Sequence, residues 1–268
     1  HQEFGGRVTW ADTAVYEAGD HATHVAGTMI ASGVDPKALG MAPQAEVTSY
    51  DWDADVAEII GEASAGMLLS NHSYGVTRGW YAPFYIYWFG DTAVSGWEDY
   101  RFGFYCDESR VFDSLLCEYP DYLLVCAGGN ERDDDHPSED LWGHYIWNEA
   151  AGEWQHSETP REEPDGGPDG FDCIPNGMTL AKNVLTVAAV EDVTAYTGPA
   201  DVVMTGFSSW GPTDDGRIKP DISGNGWLVY SGIANDDASY GTGSGTSMAS
   251  PNVCGSLALV QNRYIALK

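Results

Sequence analysis

Apolar residues follow two rhythms along this chain. Short solid runs at residues 122–127 (Tyr-Leu-Leu-Val-Cys-Ala) and 182–190 (ending Val-Leu-Thr-Val-Ala-Ala-Val) have the length and content of buried strands. Residues 42–50 predict a turn feeding a strand, and residues 68–75 a strand ending in glycine. Between these runs the apolar positions recur at helical spacing. Residues 25–32 predict a buried helix rich in small side chains. Residues 53–68 place Val56, Ile59, Ile60 and Met67 or Leu68 on one face, with acids early, where they suit the helix dipole. Residues 109–119 predict a third helix. A fourth starts near Ser247 and carries Met248, Val253, Leu257 and Leu259 on its apolar pattern, with Pro251 expected in its first turn. Strand–helix–strand alternation of this kind predicts an α/β fold, with a mostly parallel sheet covered by helices on both faces.

Composition bounds the picture. The 268 residues can bury one large core, and 43% hydrophobic content is ordinary for a globular domain. No run of about eighteen apolar residues exists, which argues against a membrane helix. The charge balance is unusual, with 41 acidic against 12 basic residues and a net charge of -29. A surface of that sign repels nucleic acid and anionic membranes. Residues 131–177 are polar, acidic and rich in proline and glycine, and predict a surface insertion. Residues 80–105 are aromatic and predict a loop packed over the core. Of the five cysteines, Cys126 and Cys254 fall on apolar faces and read as core residues, while Cys106 and Cys117 are open to pairing.

Three short stretches bear chemistry. The first is His21-Ala22-Thr23-His24-Val25-Ala26-Gly27-Thr28 and the second Val125-Cys126-Ala127-Gly128-Gly129-Asn130. The third, residues 243–255, reads Gly-Ser-Gly-Thr-Ser-Met-Ala-Ser-Pro-Asn-Val-Cys-Gly. Free N–H groups at a helix start can hold developing negative charge, and Gly243 and Gly245 clear space around the Ser247 hydroxyl. Together, in the order His, Asn, Ser, these stretches resemble the motifs of the subtilisin-like serine proteases (subtilases): His-Gly-Thr-His-Val-Ala-Gly, Ala-Ala-Gly-Asn and Gly-Thr-Ser-Met-Ala-Ser-Pro. Phe207-Ser208-Ser209-Trp210-Gly211-Pro212 and Lys219-Pro220-Asp221-Ile222 are similar to two further family patterns. Ala22 replaces the family's usual glycine, and Gly224-Asn225-Gly226 replaces its Ala-Pro-Gly.

The resemblance implies a three-layer subtilisin-like fold and peptide hydrolysis through an acyl-enzyme. Ser247 would be the nucleophile, His21 its general base and Asn130 an oxyanion donor. Ser73, Tyr74 and Gly75 would form the edge strand to which an extended peptide adds, and Ala127, Gly128 and Gly129 would wall the pocket for the residue before the cut. The implied substrate is a peptide or protein. The implied protein is a monomer, secreted or on the cell surface, needing no cofactor for chemistry. Structural calcium is compatible with the surplus carboxylates, although no calcium-loop spacing is present. His21 and His24 have the i, i+3 spacing of zinc ligands, but no glutamate lies between them and no third ligand is evident; His24 and His72 read as structural. The family's third catalytic residue, an aspartate on a strand well upstream of the histidine, has no match here. Asp20 directly precedes His21, and Asp12 lacks the apolar strand that would lead into it. The expectation is therefore a catalytic domain incomplete at both ends. Two alternatives are a non-catalytic domain that binds peptides and a cysteine- or metal-dependent hydrolase.

Overall fold

A computed structural model describes residues 1–12, 19–82, 84–95, 98–134, 143–148, 151–158 and 173–268. In chain order the elements are β1 (Val8–Trp10), α1 (Asp20–Ile30), β2 (Val47–Ser49), α2 (Asp55–Ser64), β3 (Leu69–His72), β4 (Trp80–Tyr81), β5 (Tyr87–Trp88) and α3 (Asp107–Glu118). They continue with β6 (Leu123–Ala127), β7 (His144–Asn148), β8 (Glu153–Ser157), β9 (Leu185–Val190), β10 (Ile222–Asn225), β11 (Val229–Gly232), β12 (Tyr240–Gly243) and α4 (Thr246–Ala266).

The central sheet is all parallel, in the order β10-β9-β6-β3. Its solid apolar strands are explained by burial on both faces. Leu124 and Cys126 of β6 pack with Ile59 of α2 and Phe112, Leu115 and Leu116 of α3. Val125, between them in sequence, packs on the opposite face with Ala249, Val253 and Cys254 of α4. Strand residues alternate faces, so one five-residue strand serves two helical layers. Each large apolar side chain buried this way contributes about 1.5–3 kcal/mol. The three-layer α/β expectation is met.

β1 and β2 form a separate parallel pair. Among the described residues, β2 pairs only with β1 and β3 only with β6, so each has one open edge. β11 and β12 form an antiparallel hairpin that runs directly into α4.

Sequence patterning missed a second sheet. β4 and β5 join β7 and β8 in the order β4-β5-β7-β8. Its aromatic residues pack ring against ring, as in Tyr87 on Trp154 and Trp147 on Trp154. Residues 80–105 are thus partly strand, and the described part of the acidic segment contributes a hairpin. The rest of that segment, residues 135–142, 149–150 and 159–172, lies outside the described residues.

Pro251 also departs from expectation. It is the sixth residue of α4, past the first turn. A proline there leaves the carbonyl four residues earlier, that of Ser247, without its helical N–H donor. The Ser73 hydroxyl donates to that carbonyl at 2.9 Å instead.

Candidate active site

Ser247 is the second residue of α4 and half-buried. The end of β3 clamps it from two sides. Its Oγ donates to the Ser73 carbonyl at 3.2 Å, while the Ser73 hydroxyl holds the Ser247 carbonyl. Asn71 extends the clamp, accepting from Ser250 Oγ at 2.7 Å and donating to Ser73 Oγ at 3.0 Å.

Asn130 follows β6 and is exposed. Its Oδ1 accepts from the Thr246 N–H at 2.8 Å and from Thr246 Oγ1 at 3.0 Å. A backbone N–H can only donate, so it fixes which end of the amide is oxygen and leaves Nδ2 as a free donor. Thr246 Oγ1 in turn accepts from the Gly129 N–H at 3.1 Å. The Ser247 N–H has no acceptor among the described residues, as expected for a helix start. Gly245 shows where the two donors meet. A Cβ placed on it would lie 3.7 Å from Asn130 Nδ2 and 3.7 Å from the Ser247 nitrogen. Asn130 Oδ1 lies at 3.6 Å from the same point, so the amide of Asn130 and the N–H of Ser247 border one small space at Gly245. Its vacancy depends on glycine, which also supplies the φ of 149°.

His21 lies in the first turn of α1, and α1 packs directly against α4. Its ring is largely exposed and makes no hydrogen bond or ion pair among the described residues. Surrounding protein lowers its pKa by desolvation, and no carboxylate opposes that shift. The two upstream aspartates are committed elsewhere: Asp20 accepts from the Ala234 N–H at 2.8 Å, and Asp12 from the Asp51 N–H at 2.6 Å. His24, one turn on, is buried and donates from Nε2 to the Val229 carbonyl at 2.8 Å. That is the structural role expected of it. His72 is also buried, with Nε2 on Ser70 Oγ and Nδ1 on Tyr74 OH, each at 2.7 Å; burial lowers its pKa to about 4.

The six residues assigned to substrate binding separate into two groups. Tyr74 and Gly75 line a cavity of about 380 Å³, and Ser73 adjoins them at the nucleophile. Ala127, Gly128 and Gly129 lie on the Asn130 side and do not line that cavity. Packing alone demands the two glycines. A Cβ at Gly128 would meet the Val187 carbonyl at 2.9 Å, and one at Gly129 would meet Glu131 Oε2 at 2.4 Å. Sequence reasoning missed Thr246, which orients Asn130, and Asn71, which ties β3 to α4. The only signal for Thr246 was a hydroxyl at a helix start, a pattern usually read as a cap.

All five cysteines are free, so Cys106 and Cys117 are not paired. Among the described residues one group has metal-ligand proximity: Asp12, Asp51 and Glu58, within 4.8 Å of one another. Burial raises the Glu58 pKa, and the Asp12 charge and a hydrogen bond with Asp12 raise it further, so a proton can relieve this group as a cation would.

With this geometry in place, comparison with known proteins decides the family. The model of the subtilase family matches residues 6–268. The chain is a subtilase. The C5a peptidase of Streptococcus pyogenes is 50% identical to it over 58 residues, 22% of this chain and 5% of the peptidase, so only a small part of that relative is matched. Solved structures with the same fold include the prenylagaramide maturation protease PagA, with a TM-score of 0.57 and 20% identity over 99% of this chain and 72% of that one. Sphericase gives 0.56 and 22% over 98% and 73%. A cold-adapted subtilisin-like serine proteinase gives 0.52 and 19% over 98% and 71%. No helix among the described residues of this chain is long and apolar enough to cross a membrane.

Proposed function

We propose that this subtilase cleaves peptide bonds through an acyl-enzyme on Ser247, with His21 as general base and Asn130 with the Ser247 N–H as the oxyanion donors. The observation that carries this is that the Thr246-oriented amide of Asn130 and the Ser247 nitrogen border the same small space at Gly245. The step begins when the Ser247 hydroxyl leaves the Ser73 carbonyl and turns to His21. Oγ attacks the carbonyl carbon while its proton passes to His21. The developing oxyanion takes hydrogen bonds from Asn130 Nδ2 and the Ser247 N–H. His21 then gives the proton to the leaving amine, and water releases the acyl group by the same route in reverse. The lowered pKa of His21 keeps it neutral, as a base must be, near pH 7.

One part is missing. A catalytic imidazole needs a carboxylate to hold its tautomer and stabilise its charged form. His21 has none among the described residues, so we assign that carboxylate to a segment outside them, on a strand that pairs with an open edge of β2 or β3. The substrate is a protein or peptide, and the family resemblance supports a secreted or cell-surface location.

The test is fluorophosphonate labelling and peptide hydrolysis by the full-length protein, with Ser247→Ala as control. Labelling and turnover that vanish together in the control are expected. Turnover that survives Ser247→Ala would overturn the assignment.

A further inference from the structure

The cavity beside β3 carries a charge pattern that a merely apolar subsite would lack. Resting on the protease reading above, we propose that it takes a lysine or arginine side chain of the substrate, and that Asp55 and Glu108 select it. Tyr74 and Gly75 line it and follow directly after Ser73, whose carbonyl accepts from the nucleophile. Two residues of extended chain span roughly 7 Å, so the cavity lies within reach of a peptide whose cleaved bond sits at Ser247. Asp55 opens α2 and Glu108 lies in the first turn of α3, so the carboxylates arrive from separate elements. Trp52 lines the same cavity and is 72% exposed, and an indole there is a side chain that attracts cations. The volume falls within the roughly 300–1,000 Å³ of ordinary ligand pockets.

Charge bookkeeping supports a cation. Each carboxylate is already partly used. Asp55 accepts from the Val56 N–H at 2.6 Å and from Tyr74 OH at 3.3 Å, and Glu108 accepts from the Met178 N–H. Neither forms an ion pair by contact among the described residues. One cation, Arg78, lies close enough for its charge to act on Glu108, but it is turned to Asn176, whose Oδ1 accepts from its Nε at 2.7 Å. Two carboxylates therefore line the cavity, and the one nearby guanidinium does not line it and is bonded to Asn176. Burial raises the pKa of Glu108 and the Asp55 charge raises it further, so the empty cavity holds like charges that a substrate cation would relieve. A neutral or acidic side chain would leave that repulsion in place, which is how a site rejects the wrong partner.

The experiment separates this proposal from the protease reading by measuring binding as well as turnover. Fluorescent peptides carrying lysine, norleucine or glutamate at each of the four positions before the cut are titrated into full-length Ser247→Ala protein, with anisotropy as the readout. The same peptides are assayed for hydrolysis by the wild type. At one position lysine should bind about tenfold tighter than norleucine, the scale of one hydrogen bond to a charged group. Glutamate should bind more weakly than norleucine. The preference should shrink in molar salt, and Asp55→Asn and Glu108→Gln should each reduce it severalfold. Equal binding of lysine and norleucine at all four positions would overturn the proposal, as would a lysine preference that both substitutions leave intact. Absence of hydrolysis with the lysine preference present would count against the protease reading and leave this one standing.

Discussion

The two sides of the proposed catalytic centre are built very differently. On the serine side every polar group has a stated position: Ser247 is clamped by Ser73, Asn130 is oriented by Thr246, and Thr246 is tied to Gly129. On the histidine side, the ring of His21 makes no hydrogen bond or ion pair among the described residues. The serine side is assembled from residues that converge at one end of the central sheet, on β3, β6 and α4. Its geometry is therefore fixed by packing that the chain itself supplies. The histidine needs a charge brought by another segment, and the open edges of β2 and β3 are where the sheet can accept one. Precise placement of a nucleophile and the electrostatics of its base can thus reside in separable parts of one fold.

The sharpest way to break that contrast is to supply the missing part. The 268-residue chain and the full-length protein should differ in kcat by about 10⁴ or more on the same peptide. That is the scale seen when the triad aspartate is removed from subtilisin, a relative of this chain. Steady-state peptide hydrolysis measures it, with active sites counted by fluorophosphonate. Equal rates would mean that an acid within the chain supports His21 after rearranging, and Asp20→Asn and Asp12→Asn would then show which.

The contrast also explains what the sequence could and could not reveal. The strands of the core were legible because burial on both faces demands solid apolar runs, as at 122–127. The motifs were legible because each demands a particular small or polar residue, as at Gly245 and Asn130. β1 was not legible, since three residues with an exposed face carry almost no period. The aromatic sheet was missed because β4 and β5 are two residues each and pair with a hairpin some sixty residues away. The roles of Thr246 and Asn71 are properties of contacts between elements, and no local pattern encodes those.

The next prediction tests the serine side directly. Asn130→Ala should lower kcat by about 10²–10³ with little change in KM, as for the oxyanion asparagine of subtilisin, the same relative. Thr246→Val removes a hydroxyl that orients the amide and should cost about tenfold, while Thr246→Ser should restore most of it. If Thr246→Val changed KM alone, the orienting role would be wrong.

On the histidine side the corresponding anchor is Glu3, fully buried at the chain's start. Its carboxylate accepts from the Gly33, Val34 and Asp35 N–H groups at 2.7, 3.0 and 2.9 Å, and from Tyr240 OH at 2.7 Å. It thereby fixes the loop that follows α1. Burial pushes its pKa up, but these hydrogen bonds outweigh that and hold it below the ordinary value. A lowered folded-state pKa stabilises the fold above the unfolded value and loses that contribution as pH falls through the folded one. Thermal stability should therefore drop below about pH 4.5, and part of the drop should vanish in Glu3→Gln. Glu3→Ala leaves several buried donors unpaired and should cost about 3 kcal/mol in denaturant unfolding. A pH profile identical in Glu3→Gln and wild type would exclude Glu3 as a contributor.

The smallest effect lies in the clamp itself, and it isolates why Ser73 is there. Pro251 has no N–H, so the Ser247 carbonyl lacks its helical donor, and the Ser73 hydroxyl fills the vacancy. Ser73→Ala should then cost about 1 kcal/mol of stability, the usual net worth of one hydrogen bond. Pro251→Ala restores an N–H at the helical position, after which the carbonyl has a donor from its own helix. In that background Ser73→Ala should cost less than it does alone. A double-mutant cycle by urea unfolding measures the difference, and contact between the residues makes a coupling of about 0.5 kcal/mol or more the expected outcome. Additive costs would show that Ser73 is held by Asn71 alone and that the proline gap is filled by water. In either case Ser73→Ala retains the backbone carbonyl that accepts from Ser247 Oγ, so labelling of Ser247 should persist while stability falls.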